Sequence, residues 1–328
     1  MATRGNVIYN SIDREQMIYY SHCDAYPSGL GADVKNVLDI SVKSKRCFLD
    51  VFKQELYYAE WCERVHGDID YLYVVTENES DYVFKAYKFD MFDKRKDYIE
   101  YLLNETEPLE CVVYDKNYVF DTISQDRYNE ILSENEHIIE RIGKEANEVH
   151  TNVNQTYSSR KLPYFVHLEA VAVAAKRYAH YITTNEDDVL PVIFGAYFHD
   201  SIEDARLTYN DLLKIAKNIG LSDEQAKLGT EIVYALTNEK GKTRAERANE
   251  RYYSYIRWTK YAPLVKLCDR YANIFFGAMN KEEDENSMRM YKVYKKEMEH
   301  FIKSIKNKSA VECEYMLPQQ LVDDILKI

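Results

Sequence analysis

The chain has 328 residues, 46% of them hydrophobic and 30% charged, the balance of an ordinary soluble globular protein with room for two cores. A formal net charge of −12 argues against a nucleic-acid-binding surface, which needs clustered Lys and Arg to neutralise phosphates, yet leaves room for a local basic pocket around a small nucleotide. Six scattered Cys without a C-x-x-C pair argue against a zinc ribbon or a disulfide framework, and no signal-peptide core or membrane-length apolar run is present, so the expected compartment is the cytoplasm.

The first third reads as α+β. Two β-rich runs, Asn6 to Ile12 and Met17 to His22, flank a polar Asp13-Arg14-Glu15-Gln16 turn and predict a hairpin. The loop that follows carries His22, Cys23 and Asp24. His22 and Cys23 are neighbours on a strand and point to opposite faces, which weakens a nucleophile–base pair; Pro27, Gly29 and Gly31 make a structural turn the better reading. A short helix comes next, then a helical stretch over Phe48 to Val65, and then strands at Asp70 to Thr76, Tyr82 to Phe89 and Cys111 to Tyr114. Arg4-Gly5-x-Val7 followed by this H-x-D-x-Y-P-x-G-x-G loop resembles uncharacterised domains of phage and bacterial proteins, a resemblance that implies no activity.

Near 121–124 the pattern changes to helical spacing of apolar residues (Ile131, Ile138, Ile139, Ile142) on a charged background. With only ten Gly and six Pro in the chain, the remainder is expected to be long helices. The expected organisation is an α+β domain over 1–123, an all-α domain over 124–308 and a helical tail over 309–328. An apolar stripe of Met316, Leu317, Leu321 and Ile325 would dock that tail on one of the domains.

Three apolar helices of the second domain each carry polar groups that their surroundings do not explain. The first opens after Pro163, a residue tolerated in a first turn, and bears His167. The second ends in His199-Asp200. If helical geometry continues, Glu203 and Asp204 lie one turn beyond them. The third starts near Pro263 and bears Asp269, with Asn273 one turn later on the same face. Each has a bland reading: a satisfied core histidine, a solvated helix end with an N-capping Asp, a salt bridge from Asp269 to Lys266 or Arg270. Taken together they supply two imidazoles and two carboxylates, the mixed donor set that Mn²⁺, Fe²⁺ or Zn²⁺ accepts, with two spare carboxylates beside it. An ion held this way can acidify a water, which points to a hydrolase. The buried carboxylates need such a cation or hydrogen bonds.

The order His167…His199-Asp200…Asp269 resembles the HD-domain metal-dependent phosphohydrolases, and more narrowly the hydrolase domain of RelA/SpoT-type alarmone enzymes and the small alarmone hydrolases. Arg160-Lys161, Pro163-Tyr164 and His167 are similar to that group's basic pair, P-Y and first ligand. His199-Asp200-Ser201-Ile202-Glu203-Asp204 matches H-D-x-x-E-D, Thr208 and Asp211-Leu212 resemble the following T-x-x-D-L/I, and Lys266 to Arg270 with Asn273 resemble K-L-A-D-R-x-x-N. The resemblance covers roughly Glu130 to Met279. It implies an all-α HD-type fold and one metal, usually Mn²⁺, on His167, His199, Asp200 and Asp269. It further implies Glu203 and Asp204 as the pair that handles the attacking water, Asn273 as a substrate contact, and Arg160 and Lys161 at the base and phosphates. Lys240, Lys242 and Arg244 stand where the family has a basic stretch and are candidate phosphate contacts, against the bland reading of a solvated loop. The expected activity is (p)ppGpp 3′-pyrophosphate hydrolysis. Only Leu162 separates Lys161 from Pro163, where the family has several residues including a Gly, and this departure keeps open a rival substrate: a nucleoside monophosphate or the 2′-phosphate of NADPH. A reading of another class is a binding module with a structural metal site, acting through a protein partner of the N-terminal domain.

Overall fold

A computed structural model describes residues 3–13, 16–238, 242–280, 282 and 285–328, with only the backbone of Arg244 and Ala245. The chain divides into two compact units, residues 1–119 with 308–311, and residues 120–307 with 312–328.

The first unit is built on a mixed sheet. Strands β1 (Gly5–Asn10) and β2 (Met17–Ser21) form the expected hairpin. They join β3 (Glu60–Cys62), β4 (Tyr71–Glu77), β5 (Asp81–Lys88) and β6 (Glu110–Asp115) in the order β3-β2-β1-β4-β5-β6, with β1 and β4 parallel. Side chains alternate between the faces as the pleat requires. Val7, Tyr9, Tyr73, Val75 and Phe84 pack against helices α1 (Leu30–Ser44) and α2 (Phe48–Glu55). Ile8, Leu72, Val74 and Tyr87 turn the other way, onto Leu102 of α3 (Tyr98–Glu105). The segment 308–311 returns to this unit, with Val311 against the α1–α2 core and Arg46 donating to the Lys308 carbonyl.

The helix expected over Phe48 to Val65 is corrected. It stops at Glu55, and Glu60 to Cys62 pair antiparallel with β2 as an edge strand. The open edge of β2, a tertiary feature, outweighs local helical spacing there. Helix α3 was not expected. The turn after β2 is structural, as read: Leu30 N–H donates to the Asp24 carbonyl, and a Cβ on Gly29 would lie 2.2 Å from that oxygen. His22 and Cys23 are exposed.

The second unit is helical. Helices α4 (Gln125–Glu134) and α5 (Glu136–Asn152) lead into a short hairpin, β7 (Thr156–Tyr157) with β8 (Leu162–Pro163), that the sequence reading did not foresee. Then come α6 (Phe165–Tyr178), α7 (Val189–Phe198), α8 (Ser201–Asp204), α9 (Tyr209–Ile219) and α10 (Asp223–Leu236). Helices α11 (Arg244–Arg247), α12 (Glu250–Arg257), α13 (Ala262–Asn280), α14 (Glu285–Ile305) and α15 (Gln319–Lys327) complete it. All ten residues of α7 are buried, so it is the central helix, with α5, α6, α10 and α13 packed on it. Capping boxes Thr208/Asp211 and Ser222/Gln225 start α9 and α10 and satisfy N–H groups that helix geometry leaves open. The C-terminal helix docks on the helical unit: Leu321, Val322 and Ile325 of α15 belong to its core, against α13. No helix among the described residues is long and apolar enough to cross a membrane.

Candidate metal centre

Residues of three helices converge on one buried point. His167 lies in the first turn of α6, and its N–H donates to the Tyr164 carbonyl. His199 closes α7 as its C-cap, and its Nδ1 bonds the Ala196 carbonyl at 2.9 Å. That contact places a proton on Nδ1 and turns Nε2 toward the other polar groups, the orientation typical of a ligating histidine. Asp269 projects from the third turn of α13. The Nε2 atoms of His167 and His199 face each other at 3.2 Å, and Asp269 Oδ1 lies 3.4 Å and 3.8 Å from them. His167, His199 and Asp269 thus form a buried group able to hold a metal ion. Donor atoms about 2.1 Å from a shared ion stand roughly 3.0–3.4 Å apart, so this spacing fits.

Asp200 stands at the N-cap of α8, yet its carboxylate makes no capping bond. It turns inward, with Oδ2 at 2.9 Å from His199 Nε2 and 3.7 Å from His167 Nε2. The capping alternative for Asp200 is therefore not the one adopted. The expected stacking holds for the aspartates: Asp204 N–H donates to the Asp200 carbonyl, one turn apart, and the Tyr164 hydroxyl reaches both carboxylates. Glu203 takes a different direction and accepts from the backbone N–H and the side-chain amide of Asn238.

The electrostatics follow from the concentration of charge. Burial would raise the Asp200 carboxyl, but His199 and His167 hold it well below the ordinary range. Burial likewise opposes ionisation of Asp269, and the Lys266 ammonium with the two imidazoles outweighs it. Lys266 is buried with its Nζ 3.0 Å from Asp269 Oδ2; Tyr252, Asp269 and Asp200 keep it protonated against the cost of burial. Burial works against a charged His167, yet hydrogen bonds to Asp200 and Asp269 push its pKa up to about 9. Lys266 offsets one of the two carboxylates, and the other looks to a proton on His167 or to a cation. Of the readings of Asp269 made from the sequence, the salt bridge to Lys266 is present on Oδ2, while Oδ1 faces the two imidazoles.

The residues expected at the substrate are more dispersed. Asn273 is held within the centre: its amide donates to Asp269 Oδ1 at 2.7 Å and to the Asp269 carbonyl, and its oxygen accepts from Tyr157. Its polar atoms orient a carboxylate. Arg160 and Lys161 lie exposed in the turn of the β7–β8 hairpin, Lys161 with a left-handed φ of 54°. Arg160 donates to Asn280 at the far end of α13 at 2.7 Å. No described contact joins either of them to the histidines and aspartates. Lys242 is exposed and its N–H donates to Glu246; Lys240 and the Arg244 side chain lie outside the described residues. Sequence reasoning missed His150, Tyr157, Gln155 and Asn238, and quoted Tyr164 only as part of a motif. Tyr157 stacks on His167 with ring centroids 5.0 Å apart. Polar and aromatic residues flanking His167 were the available signal, but their partners are remote in sequence.

On the Asp269 side the centre opens into a cavity of about 560 Å³, with Asn238, Lys266 and Asn273 near the centre and Arg247, Tyr253 and Tyr294 beyond. That volume is in the range of small-molecule sites. Among the described residues the Arg247 guanidinium has no side-chain partner.

Comparison of the chain with protein-family models, with curated proteins and with solved structures gives no match.

Proposed function

We propose that the protein is a metal-dependent phosphohydrolase of a small nucleotide, with (p)ppGpp 3′-pyrophosphate as its first-choice substrate. The observation that carries this reading is the convergence of His167, His199 and Asp269, with Asp200 on both imidazoles, at the edge of a cavity of nucleotide size. His167, His199, Asp200 and Asp269 would hold one divalent ion, Mn²⁺ or alternatively Fe²⁺ or Zn²⁺. Such an ion, when bound, supplies Lewis acidity for water and phosphoryl oxygen.

The chain's own residues account for the rest. Asp204 lies one turn from Asp200 with lone pairs left over after Tyr164 and Gln155, so it can accept the proton of an attacking water. Glu203, across the opening on Asn238, orients that water. Lys266 and Arg247 offer positive charge to phosphate oxygens, and the rings of Tyr253 and Tyr294 offer faces for a base. The same chemistry serves a nucleoside monophosphate or the 2′-phosphate of NADPH. The exposed position of Arg160 and Lys161 favours this second reading over guanine recognition by that pair. All of the residues named here belong to the second unit, and the N-terminal unit is open to selecting the substrate or to contacting a protein partner.

The test is product analysis after incubation with Mn²⁺ and ppGpp, pppGpp, NADPH, and ribo- and deoxynucleoside phosphates, with Glu203→Ala/Asp204→Ala as control. Pyrophosphate from ppGpp, lost in the double variant, is the expected result. Inorganic phosphate from another compound keeps the mechanism and replaces the substrate. Absence of any turnover overturns the proposal and leaves the binding-module reading.

A further inference from the structure

The mechanism above leaves a buried histidine unused. His150, in the last turn of α5, is 1% exposed, and its Nε2 has no hydrogen-bond partner among the described residues. A buried imidazole is costly to leave half-satisfied, so its other nitrogen has to carry the explanation. That nitrogen, Nδ1, lies 2.7 Å from Gln155 Oε1. Gln155 is held a second time, its backbone N–H donating to the His150 carbonyl across the turn through Asn154, whose φ is +54°. The other end of the Gln155 amide donates through Nε2 to Asp204 Oδ2. The His150 ring also stacks on Tyr164 with centroids 4.8 Å apart, and Tyr164 donates to Asp200 and Asp204.

We propose that His150 and Gln155 are positioning residues that hold the Asp204 carboxylate in place, with His150 setting which way the Gln155 amide faces. The inference rests on the reading of Asp204 as the group that accepts the proton of water. An amide can turn end for end, and the wrong orientation would set its carbonyl against a carboxylate. His150 Nδ1 can prevent this only as a donor, which requires a proton on Nδ1; in the neutral ring that leaves a bare lone pair on Nε2. The surroundings agree: Nε2 has no partner, and burial holds the ring below its ordinary pKa, in the neutral form. Asp204 itself is exposed, so without the relay its carboxylate would sample several rotamers. Fixing a reacting group to within a fraction of an ångström raises turnover more than binding.

Two measurements on the full-length chain decide the matter. The first is steady-state turnover of Gln155→Leu, His150→Phe and His150→Asn, all with bound Mn²⁺ verified, on whichever compound of the nucleotide panel the wild type hydrolyses. Gln155→Leu and His150→Phe should lower kcat by about 10- to 100-fold with KM within about twofold, the signature of lost orientation. His150→Asn, whose amide can again donate to Gln155, should recover most of the loss. Equal kcat in wild type and Gln155→Leu overturns the relay. The second measurement is nuclear magnetic resonance of the His150 ring nitrogens and the Gln155 side-chain amide, and needs no substrate. A proton on Nδ1, and a Gln155 amide signal that shifts in both His150→Phe and Asp204→Ala, is expected. A bare Nδ1 with the proton on Nε2, or a Gln155 amide indifferent to both substitutions, overturns the relay even if no substrate is ever hydrolysed. Conversely, an intact relay with no turnover in the wild type sinks the hydrolase reading alone.

Discussion

Nothing about His167 taken alone sets it apart from a core histidine; its partners do. Its Nε2 meets His199 Nε2 and two carboxylates, and in the metal-free protein these hold a proton on it with a pKa of about 9. The folded-state value exceeds the ordinary 6.5, so this proton stabilises the metal-free fold fully below pH 6.5 and the contribution is lost as pH rises through about 9. A metal must displace the same proton, because a ligating histidine is neutral. Calorimetric titration of Mn²⁺ at pH 7.5 in buffers of different ionisation enthalpy should therefore show about one proton released per ion, with affinity rising up to pH 9. Proton release near zero would show that His167 is already neutral in the free protein. At this scale the ligand types could be read from the sequence, since His, His-Asp and Asp interrupt otherwise apolar helices. The hydrogen-bond partners could not. Lys266 and Asn273 are close to Asp269 in sequence, but Tyr164 to Asp200 and Gln155 to Asp204 span tens of residues, and no local periodicity encodes those pairings.

At the scale of elements, helix α7 carries the site because it cannot shift. It is buried all round, and it closes on α10 at two glycines. A Cβ on Gly195 would lie 2.7 Å from Ile232 Cγ2, and one on Gly229 would lie 2.9 Å from Phe194 Cδ1. Gly195→Val should lower stability by about 1–3 kcal/mol, the usual cost of overpacking, seen as a lower urea midpoint at unchanged slope. An unchanged midpoint would mean that the two helices separate freely. Because His199 caps this helix, weaker Mn²⁺ binding should accompany the loss. The apolar run of α7 was plain in the sequence. Strand β3 and the β7–β8 hairpin were not, because each is so short that pairing, not propensity, makes it a strand.

At the scale of the molecule, two cores are joined by a chain that crosses between them more than once. Residues 308–311 return to the sheet unit while 312–328 complete the helical one. Leu321 of α15 is fully buried. Leu321→Asp in the whole chain should lower the melting temperature of the helical unit by at least about 5 °C, since an unpaired buried carboxylate costs several kcal/mol. The calorimetric transition of the sheet unit should stay in place; an unshifted helical transition would show that α15 is dispensable.

The amino-acid sequence by itself determined the two-part organisation, with alternating β patterns first and helical spacing afterwards. It also determined which residues are chemically able to bind a metal, because a polar group in an apolar helix stands out against its own segment. Only the tertiary structure decided that these groups meet, that Asn273 serves Asp269, that Arg160 turns toward Asn280, and that the final helix belongs to the second core. Such outcomes depend on which surfaces become neighbours once apolar faces are buried, and burial is a property of the whole fold.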